Sequence, residues 1–263
     1  MKLLSLISGG KDGIYSIIAA QRQGHEVVML GHMKPKFQGD VHELDSFMYQ
    51  TVGHNIVPSV AECLELPLIE RAITGSPVAT DALEYIPREG DEVEDLFHLV
   101  QEALVGRIRI NPSITQARRN DIEGILTGAI ASQYQLQRVL NVATRLGLKT
   151  VQPLWGREQS ELLQEMIENK MDAIIIKTCS MGLKEEHLGR SITSLYPEFI
   201  SIRDKYGFNM CGEGGEYESL VLDCPVYKRK LVITEHKHVH HSKDPFAPTI
   251  LYVPVKWEVH SKA

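Results

Sequence analysis

The sequence predicts an α/β protein: a doubly wound, mostly parallel sheet followed by a smaller C-terminal α+β domain. Three observations carry this. An apolar run from Leu3 to Ile7 ends in a glycine turn and leads into the apolar-rich segment Ile14 to Ala20, a strand–turn–helix opening. Strand-like and helix-like segments then alternate as far as about residue 178. Past Thr178 the alternation stops, and after one more helix the chain reads as β. The domains are placed at 1–150 and 151–263.

The chain has 263 residues, enough for one large domain or two modest ones with a proper core. It is 43% hydrophobic and 24% charged, the balance of a soluble globular protein. A net charge of −6 argues against a protein built to coat nucleic acid. Cys63, Cys179, Cys211 and Cys224 form no CxxC pair, which suits reduced thiols. The N-terminal apolar run is too short for a signal-peptide core, and no apolar stretch reaches membrane-spanning length. A cytoplasmic location follows, with no membrane and no stable nucleic-acid partner. The oligomeric state stays open, a homodimer being one option.

In chain order, Ser8-Gly9-Gly10-Lys11-Asp12-Gly13 joins the first strand to the first helix. Such a turn aims backbone N–H groups at an anion on a helix N-terminus, with Ser8 adding a hydroxyl and Lys11 a mobile positive charge. An ordinary glycine turn capped by Asp12 is the plainer reading. His25 to Gly31 is the second strand, so Gly31, His32 and Met33 fall just past its end, at the carboxyl edge where nucleotide bases bind. Asp45 or Ser46 caps a helix toward Leu64, with Phe47, Met48, Val52, Ile56 and Val60 as its apolar stripe. That stripe explains neither Tyr49 nor His54. Pro67 to Ala72 is the third strand.

Gly90 to Leu96 opens a helix whose acids, Asp91, Glu92, Glu94 and Asp95, favour the helix dipole; four acids so close could also hold Mg²⁺ or meet a basic partner. Residues 105–120 are the most basic stretch, a solvated loop or a docking strip for an acidic partner. Asp121 to Ile130 is a fourth strand, Ser132 caps a helix from Gln133 to Leu146, and Gly147 closes it. Lys149 to Leu154 is a strand, Glu158 to Asn169 a helix, and Asp172 to Lys177 the last strand of the alternation. Ser191 to Tyr206 is a helix with Pro197 near its start, and strands follow at 220–222, 230–233 and 250–253.

Two clusters stand out in the C-terminal part. Gly212-Glu213-Gly214-Gly215-Glu216-Tyr217-Glu218 packs three glycines and three acids into a turn. A tight exposed turn explains the glycines; the carboxylates also suit a metal–phosphate or an amine. His236, His238 and His240 would share one face of a strand, but no second ligand set accompanies them, which favours an exposed strand over a zinc site.

The Ser8–Asp12 loop is neither GxxxxGK[ST] nor GxGxxG. It resembles the SGGxDS loop of the PP-loop ATP pyrophosphatases, which cleave ATP between the α- and β-phosphates; Gly13 stands where that loop ends in Ser. Together with ELDSFMYQTVGH at 43–54, GDEVEDL at 90–96 and GEGGEYES at 212–219, it resembles the diphthine–ammonia ligases (diphthamide synthetases) over nearly the whole chain. Thr127 to Ser132 and HSKDPFAP at 241–248 look similar as well, whereas in Ser132-Gln133-Tyr134-Gln135-Leu136 the family's Asp and Arg are Gln133 and Leu136.

The resemblance implies a Rossmann-like, adenine-nucleotide hydrolase type of fold, with an ATP-binding domain at 1–150 and a substrate-binding domain at 151–263. It implies ATP and Mg²⁺ as cofactors and translation elongation factor 2 as protein substrate. Its diphthine carboxylate would be adenylated with release of pyrophosphate, and ammonium would then give the amide diphthamide and AMP. Ser8, Gly9, Gly10, Lys11, Asp12 and Gly13 would cradle phosphates, with Asp12 the Mg²⁺ ligand. Gly31, His32, Met33, Gly128 and Ala129 would complete the nucleotide site. Tyr49, His54, Ser132, Tyr134, Gly214, Gly215 and Tyr217 would hold the acceptor, and Lys11, Asp12, Glu213, Glu216 and Glu218 would carry the chemistry. A PP-loop tRNA-modifying enzyme and a non-catalytic ATP/AMP sensor stand as alternatives.

Overall fold

The apolar N-terminal run forms β1 (Lys2–Leu6), with Leu3 and Leu4 wholly buried. Each such side chain contributes about 1.5–3 kcal/mol of burial. β1 pairs in parallel with β2 (Glu26–Pro35) and β4 (Gly124–Leu126); β3 (Leu68–Ile73) and β5 (Lys149–Val151) complete a five-stranded parallel sheet of order β3-β2-β1-β4-β5. This computed structural model describes residues 1–36, 46, 48–78, 80, 84–106, 121–242, 244 and 246–262. The strand order reverses between β1 and β4, so the crevice beyond their carboxyl ends is the expected ligand site of a doubly wound sheet.

Helices cover both faces. α1 (Lys11–Arg22) and α2 (Val57–Leu64) pack Ile14, Ile17, Val57 and Val60 on one face. α3 (Glu92–Leu104) and α4 (Gln133–Arg145) pack Val93, Leu96, Val139 and Val142 on the other. Ser132 caps α4 as the sequence marks it, its hydroxyl accepting from Gln135 N–H at 3.3 Å; Asp91, expected only as a first-turn acid, caps α3 by accepting from Val93 N–H at 2.9 Å, and α1 starts at Gly10 with no side-chain cap from Asp12.

α5 (Gln159–Glu168) leads into β6 (Asp172–Thr178), and α6 (Ile192–Tyr206) precedes β7 (Tyr217–Asp223), β8 (Arg229–His240) and β9 (Ile250–Ser261). These strands form an antiparallel sheet of order β7-β6-β9-β8. One apolar cluster runs from Leu3 and Leu30 through Ile17 and Val60 to Ile175 and Leu220, so α1 and α2 lie between the two sheets.

Four expectations are corrected. β6 is not part of the parallel sheet; its Ala173–Ile176 run is buried on both faces and reads the same in either kind of sheet. β2 continues to Pro35 because β3 pairs with it that far, which puts Gly31, His32 and Met33 inside the strand. No helix runs from Ser46 to Leu64: Gly53 has φ +76, a 3₁₀ turn spans His54–Ile56, and α2 starts at Val57, where Pro58 fits the first turn. β4 and β5 have three residues each, shorter than expected. Asp45, Phe47 and residues 107–120 of the basic stretch lie outside the described residues.

β8 carries His236, His238 and His240 as an ordinary strand. His236 stacks on Tyr252 at 4.2 Å, and His238 and His240 pair with Glu185 at 2.8 and 3.4 Å. Among the described residues no group of three His, Cys, Asp or Glu side chains could hold a metal ion, and no helix is long and apolar enough to cross a membrane. All four cysteines are free thiols.

Candidate active site

A cavity of about 810 Å³ opens at the carboxyl ends of β1, β2 and β4, where the strand order reverses. Its floor is Ser8 and Gly10 to Gly13 with Thr127, Gly128 and Ala129; its walls are Gly31 to Met33, Met48 to Gln50, Ser132 and Tyr134 on one side and Lys177, Cys179, Cys211 to Gly215, Tyr217 and Glu218 on the other. Two segments about two hundred residues apart in sequence thus share one space.

The floor requires glycine. A Cβ on Gly128 would lie 2.5 Å from the Asp12 carbonyl carbon, and a Cβ on Gly10 would lie 2.7 Å from Gln50 Oε1. The chain therefore brings bare backbone to the cavity, the surface a phosphate needs. Gly9, at φ +88, turns away from the cavity lining, its carbonyl accepting from Val221 N–H at 2.9 Å. A Cβ on Gly13 would make only ordinary contacts, 3.6 Å to the Leu6 carbonyl oxygen, so the position has room for the serine that PP-loops carry.

Lys11 is not the mobile cation the sequence suggests. It is 2% exposed. Its Nζ donates to Asp12 Oδ2 at 2.9 Å and to the Cys211 carbonyl oxygen at 2.5 Å, over the Tyr217 ring. Burial works against its charge, but Asp12, Tyr217 and Cys211 outweigh burial and hold its pKa above the usual lysine range. Burial lifts the Asp12 carboxyl, against the pull of Lys11. Asp12 Oδ1 is buried with no hydrogen-bond partner.

The three loop acids part company. Glu213 lines the cavity, its Oε1 accepting from Ile130 N–H at 3.2 Å and Ala131 N–H at 3.4 Å; burial, then the Asp12 charge, raises its pKa. Glu218 lines it too and pairs with Lys177 at 3.4 Å across β6 and β7. Glu216 is turned off the cavity, its carboxylate accepting from Asn209 N–H at 2.7 Å. Gly214 and Gly215, at φ +79 and +81, let the turn reverse between Glu213 and Glu216.

His54 is likewise not a wall residue. Tyr49 is, its hydroxyl donating to the Glu92 carbonyl at 3.2 Å. His32 is buried in β2 with Nδ1 3.1 Å from the Ile7 carbonyl oxygen, and burial pushes its pKa down to about 4, keeping the ring neutral. The acids of α3 are spent on structure: Asp95 accepts from Thr74 and Gly75, Glu94 pairs with Arg145, and Glu92 accepts from Ser46. Sequence reasoning missed Lys177, Gln50 and Ser219. Ser219 Oγ accepts from Lys11 N–H at 3.1 Å, and Gln50 Nε2 donates to the Ser219 carbonyl at 3.2 Å.

The donor set fits ATP with Mg²⁺. Bare backbone faces the floor, and an orphaned carboxylate oxygen sits beside it, which is what a magnesium held by one carboxylate and substrate phosphates uses.

The chain matches the family models described as diphthamide synthase N-terminal domain, over residues 1–150, and diphthamide synthase C-terminal domain, over residues 158–250. Proteins named diphthine–ammonia ligase from Mus musculus and Homo sapiens are 44% and 43% identical to it over 250 residues, covering 94% of this chain and 88% of each relative. One of the same name from Schizosaccharomyces pombe is 40% identical over 100% of this chain, which spans 40% of that longer relative. A solved structure described as a predicted subunit of tRNA methyltransferase from Methanocaldococcus jannaschii covers 83% of this chain and 95% of that one at 13% identity and a TM-score of 0.37, too loose to bear on fold or function. With the two family models spanning most of its length, the chain belongs to the diphthamide synthase family.

Proposed function

We propose that this protein is a diphthine–ammonia ligase that amidates the diphthine carboxylate of translation elongation factor 2, in the cytoplasm, at the expense of ATP. The observation that carries the reading is the single cavity shared by the phosphate loop and the acidic glycine loop. A carboxylate is a poor acyl donor and needs a better leaving group. Its oxygen attacks the α-phosphorus of ATP, the α–β bridge breaks, and pyrophosphate leaves with the acyl-adenylate behind. Ammonia then adds at the acyl carbon, AMP leaves, and one proton is shed.

Each step has residues suited to it. The Ser8 hydroxyl and the amides at the head of α1 would meet the phosphates, with Asp12 Oδ1 toward Mg²⁺, which supplies charge for the leaving pyrophosphate. Glu213 would accept the proton that ammonium must lose: its raised pKa makes it a better base than an ordinary carboxylate. Tyr49, Ser132 and Tyr134 form the opposite wall and would hold the acceptor side chain.

The test is incubation of the protein with Mg·ATP, ammonium and diphthine-bearing elongation factor, assaying AMP and diphthamide. Both should appear in equal amounts. ATP binding without AMP would support the sensor reading instead, and ADP as product would end the pyrophosphatase assignment. A thiolating, tRNA-modifying activity would need a reactive thiol, and burial pushes the Cys211 thiol up to about 12.

A further inference from the structure

Lys11 sits in the phosphate loop, yet its contacts lead across to the acidic turn. An ammonium has three donors. Here one goes to Asp12, one to the Cys211 carbonyl, and the aromatic face of Tyr217 lies 4.8 Å from the nitrogen. The backbone of the same residue donates to Ser219. Lys11 therefore joins the floor of the cavity to both ends of the acidic turn, Cys211 before it and Ser219 after it.

The tip of the turn is open. A Cβ added at Gly214 or Gly215 would meet nothing within 4 Å, so the segment packs against no neighbour there. Its flanks are held by the Lys11 and Gln159 contacts at Cys211, by the Glu213 carboxylate on the amides of Ile130 and Ala131, by Asn209 Nδ2 donating to the Glu213 carbonyl, by Cys179 N–H donating to the Glu216 carbonyl and by the Glu216 carboxylate on the amide of Asn209; of these, the Lys11 contact comes from the phosphate loop. Asp12 stands at the other end of the Lys11 contact. Its Oδ2 holds Nζ, while its Oδ1 is buried without a partner.

We propose that Lys11 is a positioning residue that fastens the phosphate loop to the acidic turn, so that filling the phosphate site sets the geometry of the wall that receives ammonium. Asp12 would meet a magnesium phosphate at the loop through Oδ1 and be drawn toward it. The pull passes through Oδ2 and Nζ to the Cys211 carbonyl and shifts or stiffens the turn that carries Glu213. The consequence for catalysis rests on the amidation reading above; the link between loop and turn does not.

The experiment compares wild type with Lys11→Met, which keeps the length and removes the charge, and with Ser219→Ala, a milder cut in the same link. Binding of a non-hydrolysable ATP analogue with Mg²⁺ is measured by calorimetry, amide hydrogen exchange is followed over residues 211–216, and kcat and acceptor KM are taken from AMP release. In wild type the analogue should slow exchange in the turn. Lys11→Met should bind the analogue within about threefold of wild type, lose that protection, and drop in kcat about a hundredfold, the scale of a misplaced catalytic group. Ser219→Ala should show the same pattern in smaller measure, and it decides the matter if Lys11→Met does not fold. Loss of analogue affinity by more than about tenfold, the size of one charge-assisted hydrogen bond, would make Lys11 a phosphate ligand and overturn the proposal. Intact protection of the turn in both variants would overturn it too. If wild type releases no AMP, the amidation reading fails, while the exchange comparison still decides the link.

Discussion

Glu92 gives the sharpest pH test of the acceptor wall. It is wholly buried at the start of α3, where Oε2 accepts from Ser46 at 2.7 Å and Oε1 has no partner. Burial is the main cause that pushes its pKa up to about 7, from 4.5; the Ser46 hydrogen bond pulls against it, and Asp91 adds to it. Because the folded value is raised, the unfolded chain releases its proton first. The stability that Glu92 contributes is greatest below pH 4.5, falls as pH rises toward 7, and is flat beyond. The fall amounts to about 3 kcal/mol, at 1.36 kcal/mol per pKa unit. Glu92→Gln removes the ionisation and keeps an acceptor for Ser46. It also places an amide NH₂ where Oε1 has no partner, a constant cost of about 1–3 kcal/mol. Because that cost is constant, the test reads the pH dependence of the difference between variant and wild type. Urea or thermal melts from pH 4.5 to 8 should show the variant gaining about 3 kcal/mol on wild type, or about 6–12 °C in Tm for a chain of this size. A difference that moves by less than about 1 kcal/mol across that range would refute the buried-carboxyl reasoning.

Three further outcomes follow from the geometry. Glu213→Gln should keep the Ile130 and Ala131 hydrogen bonds and nucleotide binding but lower amide formation about a hundredfold, whereas Glu216→Gln, which still accepts from Asn209, should stay within about threefold of wild type; equal losses in the two would contradict the separation seen here. Gly128→Ala puts a Cβ 2.5 Å from the Asp12 backbone, so it should cost about 1–3 kcal/mol in denaturant melts and weaken ATP binding; unaltered ATP affinity would detach this turn from the nucleotide site. Lys177→Ala leaves Glu218 with less neutralisation across the cavity from the acceptor wall, so an anionic acceptor meets more negative charge and its KM should rise about tenfold with ATP affinity little changed; an unchanged acceptor KM would remove Lys177 from the site.

What was legible in the sequence is what is local. Strand, glycine pair and helix are contiguous, so the phosphate loop and the β1–α1 unit could be read directly, as could the Ser132 cap. The end of β2 could not: Gly31 and His32 look like terminators, and only the pairing with β3 and the His32 contact to the Ile7 carbonyl show why a glycine and a polar ring continue a buried strand. Lys177 and Ser219 were missed because a polar residue in a strand carries no mark of the cavity it will face; cross-strand register with a segment some forty residues away supplies it. Glu216 was grouped with Glu213 because both sit in one glycine turn, and the positive φ values that send them in opposite directions leave no trace in spacing.

Lys11 shows how far a motif can be trusted. In the string SGGKD the residue type invites a phosphate contact, and the resemblance strengthens that invitation. The fold gives the ammonium other partners: the Asp12 carboxylate beside it in the loop, and the Cys211 carbonyl and Tyr217 ring of the acidic turn that closes over it. A buried lysine held this way is costly to strip of its partners, since an unpaired charge would remain in a dry site. That cost is what suits it to transmit a movement: the contact persists while the groups on either side shift together. The loop and the acidic turn are then one device read from two distant stretches of sequence, and the residue that joins them belongs to the motif by position and to the turn by contact.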